Sequence, residues 1–433
     1  MQKLLIISYA FPPVNLPSAQ RPYYFAKILG ESGIKITVLS AKNPDSVYGT
    51  GLFLESLNNV TVIRSFNFNL SFFRSAKNIS VNLTTKDKRF SFVYLKRKTF
   101  KIVEKVIFPD KGLFWLPSAI ITGIKILLKE KNSPVFSTSP LFSNHLIALF
   151  LKKTFNNLWI ADFRDFHYAY HIENEKKGLR TILHKVAEHK TIKCADQVVF
   201  ISNSMKNLYS NKYPDYKKKF VTITNGFDIN LYLKKRQHST INKKINIVYA
   251  GSFYNGERSP FPLLNALEEM VLSNLIEKNE FTIDLYGIVD NKIRNIIKSF
   301  YISRSINING ILSRDEVFKK FETADIFWLI VGNNIYHRAG IPLKFFDYLI
   351  YKKFIWAFLP ENSELEVVLN ELNFGEVFVP SNKNKTILKL LKYFELFRND
   401  RSARPDYVPL YKLEKYTRQF QAQQLLSLLN KNT

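Results

Sequence analysis

The sequence runs through one alternation of elements twice, and few architectures accept that. "KLLIISY" (3–9), a proline loop, a helical stretch with Phe25, Ile28 and Leu29 on one face, Gly30, Gly33 and then "IKITVLS" (34–40) make a strand, a helix and a strand in quick succession. This is the unit of a parallel sheet. Further strands are expected at "VTVIRSF" (60–66), "PVFSTS" (134–139), "LWIADF" (158–163), "QVVFIS" (197–202) and "FVTITNG" (220–226), mostly with helix-length segments between them. After the polar, basic stretch "LKKRQHSTINKK" (233–244) the pattern restarts with "INIVYAG" (245–251), "FTIDLYG" (281–287), "SININGI" (305–311), "ADIFWLIV" (324–331), "FIWAFL" (354–359) and "FGEVFV" (374–379). The expected fold class is therefore α/β, with two doubly wound Rossmann-like domains at 1–232 and 245–405 and a linker at 233–244. Such domains carry ligand loops at the C-terminal ends of their strands, and two facing each other would share a cleft. The end of the chain, 406–433, reads as an amphipathic helix with Ala422, Leu425, Leu426 and Leu429 in a stripe that must pack on something.

Composition narrows the class. With 433 residues, 46% hydrophobic and 23% charged, the chain is long and apolar enough for two cores. A single cysteine, Cys194, excludes an intramolecular disulfide framework and points to a reducing compartment, so the cytoplasm is expected. The N-terminal "MQKLLIISYAFPPV" reads as a first strand rather than a signal peptide, and no apolar run approaches the roughly 20 residues that span a bilayer. Lys and Arg total 63 against 36 Asp and Glu, a net charge of +27 that favours polyanionic partners. In "KDKRFSFVYLKRKTFKIVEKV" (86–106) basic residues interleave with Phe, Tyr, Ile and Val, which suits a segment lying on anionic lipid and equally a solvated helical face.

Two stretches of the second half could hold an anion. In "VYAGSFYNGERSPFPLLNAL" a strand ends at Gly251 and Ser252, a loop follows, and a helix is expected near Ser259 and Pro260 with Arg258 just before it. Glycine lets a ligand approach the backbone, and a helix N-terminus favours negative charge. An ordinary strand-to-helix turn with a solvated arginine would look the same. In "AGIPLKFFDY" (339–348) Pro342 is expected to open a helix, which puts Lys344 in its first turn, where the dipole disfavours a cation. A diphosphate stabilised jointly by Lys344, Arg258 and the helix N-terminus would account for it. Asp347, three residues on, could accept hydrogen bonds from ribose hydroxyls, or could simply pair with Lys344.

At this point the sequence resembles a family. "AGIPLKFFDYLIYKKFIWAF" is similar to the "Pro-x-Lys-x-x-Glu-Tyr-Leu" donor-site signature of glycosyltransferase family 4, retaining nucleotide-sugar transferases with the two-Rossmann GT-B fold. "SYAFPPVNLPSAQRPYYFAKIL", "IADFRDFHYAY", "CADQVVFISNSM", "VTITNGFD" and "VYAGSFYNGERSP" resemble other landmarks of that family in the same order. The resemblance implies that Gly251, Ser252, Arg258 and Lys344 bind the donor diphosphate and that the backbone of Gly340, Ile341 and Pro342 touches phosphate or sugar. It also implies that Asp347 holds the ribose and that the C-terminal helix crosses back to the first domain. Asp347 stands where the family has Glu, Ala339 where it has a partner Glu, and "NLPSAQR" where it has a glycine pair.

On the acceptor side, "PLFSNHLIAL" places His145 early in a helix after a strand, where it could touch sugar or acceptor or serve only structure. "DFRD" puts Asp162, Arg164 and Asp165 at a strand end. Asp165 is the preferred carboxylate, with a self-neutralising Arg–Asp loop as the rival reading. Arg21, just before a helix expected to begin at Pro22, suits an acidic acceptor such as a lipid-linked diphosphate. No Walker A, His-Glu-x-x-His, Gly-x-Ser-x-Gly or metal-type Asp-x-Asp sequence is present, and "YGTGLF" (48–53) reads as a loop.

The expected activity is transfer of a sugar from a nucleotide-diphosphate donor to a lipid-linked or other glycan acceptor, in bacterial surface polysaccharide (lipopolysaccharide or capsule) biosynthesis. Arg258, Lys344 and Asp165 are the expected catalytic residues. No metal or other cofactor is expected, retention follows only from the resemblance, and the chain is expected at the inner face of the plasma membrane on anionic lipid. The alternatives are a nucleotide-sugar epimerase of the same architecture, a catalytically silent scaffold and, more distantly, a nucleic-acid-binding protein. Nucleic acid is not the expected partner, since no groove-reading or single-strand module is visible.

Overall fold

Every expected strand forms. The computed structural model describes residues 2–14, 16–42, 57–68, 108–166, 178–235, 244–400, 402–403, 405–406 and 408–430. The basic segment 86–106, the loop 48–53 and most of the stretch 233–244 lie outside the described residues. The chain divides into two compact units, one comprising Met1–Ile201, Lys206–Ile223 and Ala422–Thr433, the other Ser202–Met205 and Thr224–Gln421.

In the first unit β1 (Lys3–Ile7), β2 (Lys35–Ala41), β3 (Val60–Ser65), β4 (Val135–Thr138), β5 (Trp159–Phe163), β6 (Gln197–Phe200) and β7 (Phe220–Thr222) form a seven-stranded sheet in the order β3-β2-β1-β4-β5-β6-β7. All its pairings are parallel. The order reverses between β1 and β4, which is where open α/β sheets bind ligands. Helix α1 (Pro17–Glu31) buries Tyr23, Phe25 and Leu29 beneath this sheet with Ile6, Val38, Phe136 and Ile160. It begins at Pro17, one and a half turns earlier than expected. Pro22 lies inside it, lacking the N–H that would bond to Ser18, so Arg21 is a helical residue and not the approach to a helix.

Three further helices, α2 (Leu116–Lys129), α3 (Ser143–Phe155) and α4 (Leu179–Cys194), pack side by side in this unit. The expected terminal helix is shorter, α5 (Arg418–Asn430), preceded by a short helical turn at Leu410–Leu413. Ala422, Leu425, Leu428 and Leu429 of α5 join the first unit's core, and Leu426 packs at its edge.

In the second unit β8 (Ile245–Ala250), β9 (Phe281–Tyr286), β10 (Ile306–Gly310), β11 (Ile326–Ile330), β12 (Phe354–Phe358) and β13 (Glu376–Phe378) form a parallel sheet in the order β10-β9-β8-β11-β12-β13. Its switch point lies between β8 and β11. The strand "IFWLI" reads as a continuous apolar run because both faces are covered: Ile326, Trp328 and Ile330 enter one core, Phe327 and Leu329 the other. Gly287, just after β9, has φ +127°, and a Cβ there would lie 2.2 Å from the carbonyl oxygen of Gly251. This contact lets the ends of β8 and β9 close on each other. Gly287→Ala is expected to cost about 1–3 kcal/mol, read as a lower denaturant midpoint in urea. An unchanged midpoint would contradict the contact.

Candidate functional site

The second unit gathers its expected residues at the end of β8. The turn there begins with Gly251, whose φ of +151° is costly for any side chain. A Cβ on Gly251 would stand 3.2 Å from Lys344 Nζ, so the glycine leaves that ammonium its place. The helix that carries Lys344 spans Leu343–Tyr351, with Pro342 at its N-cap (φ −59°, ψ 136°) rather than inside it. Extended ψ before the first turn explains the shift by one residue, and Lys344 remains in that turn. Tyr348, on the same helix, is buried and stacks on Phe327 with centroids 4.3 Å apart, and its hydroxyl accepts a 3.3 Å hydrogen bond from Ala250 N–H. That bond fastens the second turn of the helix to the strand end.

Lys344 Nζ lies 4.0 Å from the centroid of the Tyr249 ring and donates a long 3.4 Å hydrogen bond to Ala250 O. Tyr249 is itself fully buried, stacked on Phe253 at 4.8 Å, with its hydroxyl donating to Ser252 O at 3.0 Å. Burial holds the Lys344 pKa well below the usual lysine value, and the charge of Arg258 lowers it further. Burial likewise pushes the Tyr249 phenol up, with Arg258 opposing. Arg258 lies over the Tyr254 ring at 4.5 Å, and its buried Nε has no hydrogen-bond partner. Among the described residues neither Lys344 nor Arg258 makes an ion pair. Two cations close enough to perturb each other, with no carboxylate between them, are unfavourable unless an anion arrives.

The remaining residues sit around this pair. Ser252 is half-buried and its Oγ accepts from Tyr254 N at 3.3 Å. The helix expected near Ser259 and Pro260 spans Phe261–Leu272 with Pro260 at its N-cap, and Ser259 Oγ accepts from Phe261 N at 3.3 Å. Gly340 N–H donates to His337 O, Ile341 is buried in the core with Phe345 and Phe346, and Pro342 is half-buried. Only backbone at 340–342 is thus left for a ligand. Ala339 is buried, and its carbonyl accepts from the Ser202 hydroxyl. Asp347 is half-buried one turn after Lys344. Sequence reasoning passed over Tyr249, Tyr348 and His337, whose imidazole crowds Gly332 and lies 3.7 Å from the Glu257 carboxylate. Only the tyrosines left a trace, as polar-tipped residues in otherwise apolar runs.

In the first unit the structure corrects the placing of Arg21 and Asp162, and for His145 it fits the structural alternative. Arg21 and Asp162 do not face an acceptor. They are fully buried and joined by two 2.9 Å hydrogen bonds, Nε to Oδ2 and Nη2 to Oδ1; Arg21 also donates to Ile223 O, and Thr138 Oγ1 donates to Asp162 Oδ2 at 2.7 Å. Each charge is consumed by the other. His145, also fully buried, stacks on Phe163 at 4.9 Å, and its Nδ1 lies 2.8 Å from Ser137 Oγ. Asp165 is exposed just beyond β5, its N–H 3.4 Å from Ser139 Oγ.

The whole architecture has solved counterparts. Sucrose-phosphate synthase from Thermosynechococcus elongatus matches with a TM-score of 0.64 at 13% identity, over 100% of this chain and 99% of that one. The apo lipopolysaccharide outer core galactosyltransferase WaaB matches at 0.59 and 12%, and HepE from Anabaena in complex with UDP-glucose at 0.61 and 11%, each over 100% of both chains. No family model and no curated protein matches the sequence. The chain has the GT-B fold. Among the described residues no helix is long and apolar enough to cross a membrane.

Proposed function

We propose that the chain is a glycosyltransferase that moves a sugar from a nucleoside-diphosphate donor to a lipid-linked acceptor, in the assembly of a bacterial surface glycan. The observation that carries this reading is the pair Lys344 and Arg258, half-buried at the switch point of the second sheet with no ion-pair partner among the described residues. In the reaction the bond between the sugar and the diphosphate breaks and negative charge grows on the departing group. Lys344, Arg258 and the N–H groups opening the helix Leu343–Tyr351 would stabilise that charge, which is electrostatic catalysis by fixed groups. Asp347 would hold the ribose, and Asp165 is the acceptor-side carboxylate. The UDP-glucose bound by HepE supports a nucleotide-sugar donor, and a relative acting on lipopolysaccharide supports the surface-glycan setting. The resemblance to family 4 supports a retaining outcome. A panel of nucleotide sugars, assayed for transfer and hydrolysis, tests the proposal. Turnover of none of them, or acceptor-independent release of an epimerised sugar, would overturn it.

A separate observation favours attachment to the cytoplasmic face of a membrane. Helices α2, α3 and α4 expose Ile121, Leu128, Phe150, Leu179, Ile182 and Val186 on the layer they form. Together they carry eight Lys or Arg and one acidic residue, Glu188, which is buried against Lys212, Tyr209 and Tyr213. Lys152 is paired with Asp196 beyond the helices, and exposed apolar residues interleaved with a basic excess suit an anionic bilayer surface. The chain is expected to sediment with phosphatidylcholine vesicles containing phosphatidylglycerol, and Ile182→Glu with Val186→Glu to abolish this. Equal sedimentation of that variant would contradict the assignment.

A further inference from the structure

Among the described residues of the first unit, Arg164 is a cation that no hydrogen bond or ion pair balances. Arg164 follows β5, in the middle of the sheet, and its backbone N–H donates to Ser139 Oγ at 2.7 Å. The residue is only 6% exposed, its buried Nη1 has no hydrogen-bond partner, and among the described residues its guanidinium makes no hydrogen bond or ion pair. An arginine has five N–H donors and cannot shed its proton, so leaving it buried and unpaired is among the costlier choices a fold can make. The neighbouring charges do not repair this. Asp162 is saturated by Arg21 and Thr138, and Asp165 is exposed to water. Burial lowers the Arg164 pKa before anything else does, with Asp165 opposing and Arg21 adding to the effect.

The surrounding elements mark the place as a ligand position. Arg164 lies at the C-terminal edge of a doubly wound sheet, where α/β ligands bind. The neighbouring helix N-terminus, at Ser143, is not the anion site, because the Asp110 carboxylate already accepts from Ser143 N–H at 3.0 Å. Ser139 is committed to holding the turn. The guanidinium is what remains without a role.

We infer that Arg164 is an anion-binding residue of the first unit, recognising an oxyanion of the acceptor, a phosphate or a carboxylate. The inference rests on the transferase reading for calling that ligand an acceptor, whereas the anion site itself rests on Arg164 alone. It shifts the acidic-acceptor role from Arg21, whose charge is spent on Asp162, to the arginine two residues beyond that aspartate.

The test is thermal unfolding of the full chain in rising inorganic phosphate and, separately, acetate, at constant ionic strength. Lys344→Ala with Arg258→Ala serves as parent, so that the second unit's cations do not contribute. Ligand bound only by the folded state raises the midpoint with concentration. The parent is expected to gain stability with phosphate, acetate or both, which identifies the preferred oxyanion, and adding Arg164→Gln is expected to remove that gain. Without added anion, Arg164→Gln should unfold no earlier than its parent, because it deletes an uncompensated buried charge. A parent that responds to neither anion, a response that survives Arg164→Gln, or an Arg164→Gln chain that fails to fold or melts earlier would each overturn the inference. An Arg164-dependent response in the parent, with no nucleotide sugar turned over by the unsubstituted chain, would uphold it while sinking the transferase reading.

Discussion

Lys344→Ala is expected to lower turnover of the nucleotide-sugar donor by about 100-fold or more while leaving the fold intact. Removal of one preorganised group that stabilises transition-state charge costs roughly 2.7–4 kcal/mol in comparable sites, and Lys344 is the cation held closest to the Gly251 turn. Structural lysines lose stability when truncated. Lys344 should not, since it lies half-buried beside Arg258 with no ion-pair partner among the described residues. The sign of its pH dependence follows from the same burial. Its pKa in the folded chain lies below 10.5, so as pH rises through that lowered value the folded state sheds a proton that the unfolded chain still binds. Stability of the ligand-free chain therefore rises with pH across that window, and Lys344→Ala should flatten the rise. Unchanged turnover in this variant would mean that the donor site is elsewhere.

The largest effect on stability is expected at Asp162. Asp162→Asn keeps the shape but leaves the Arg21 guanidinium buried without its counter-charge, at about 3–5 kcal/mol. Arg21→Met alone should be similarly damaging, whereas Arg21→Met combined with Asp162→Leu should recover most of the loss, because two apolar groups leave no orphaned charge. Urea unfolding of the unsubstituted chain, Arg21→Met, Asp162→Leu and their combination measures this coupling. Activity lost at full stability would return Arg21 and Asp162 to the acceptor side.

These two residue pairs show what was legible in the sequence. Strand positions were, because buried parallel strands are written as apolar runs of the right length, and "ADIFWLIV" admits little else. That Gly251 and Lys344 stand out was legible too, because each breaks a local rule, a glycine at a strand end and a cation in a first turn, and the structure brings the two together. Helix starts were read less well: Pro17 and Pro22 are both compatible with a first turn, and only packing of Phe25 and Leu29 decides that the helix runs through Pro22. The fate of the charges in "DFRD" was not legible at all. Asp162 is 141 residues from Arg21 in sequence, and no local pattern states that they meet. Once they do, the arginine beside them is the one left over, and that conclusion needs coordinates.

The most direct test of the account is a structure of the chain with a nucleoside diphosphate. The diphosphate is predicted to lie against the Gly251–Ser252 turn, with oxygens within hydrogen-bond reach of Lys344 Nζ and the Arg258 guanidinium. A diphosphate bound elsewhere, with both side chains turned to solvent, would contradict it.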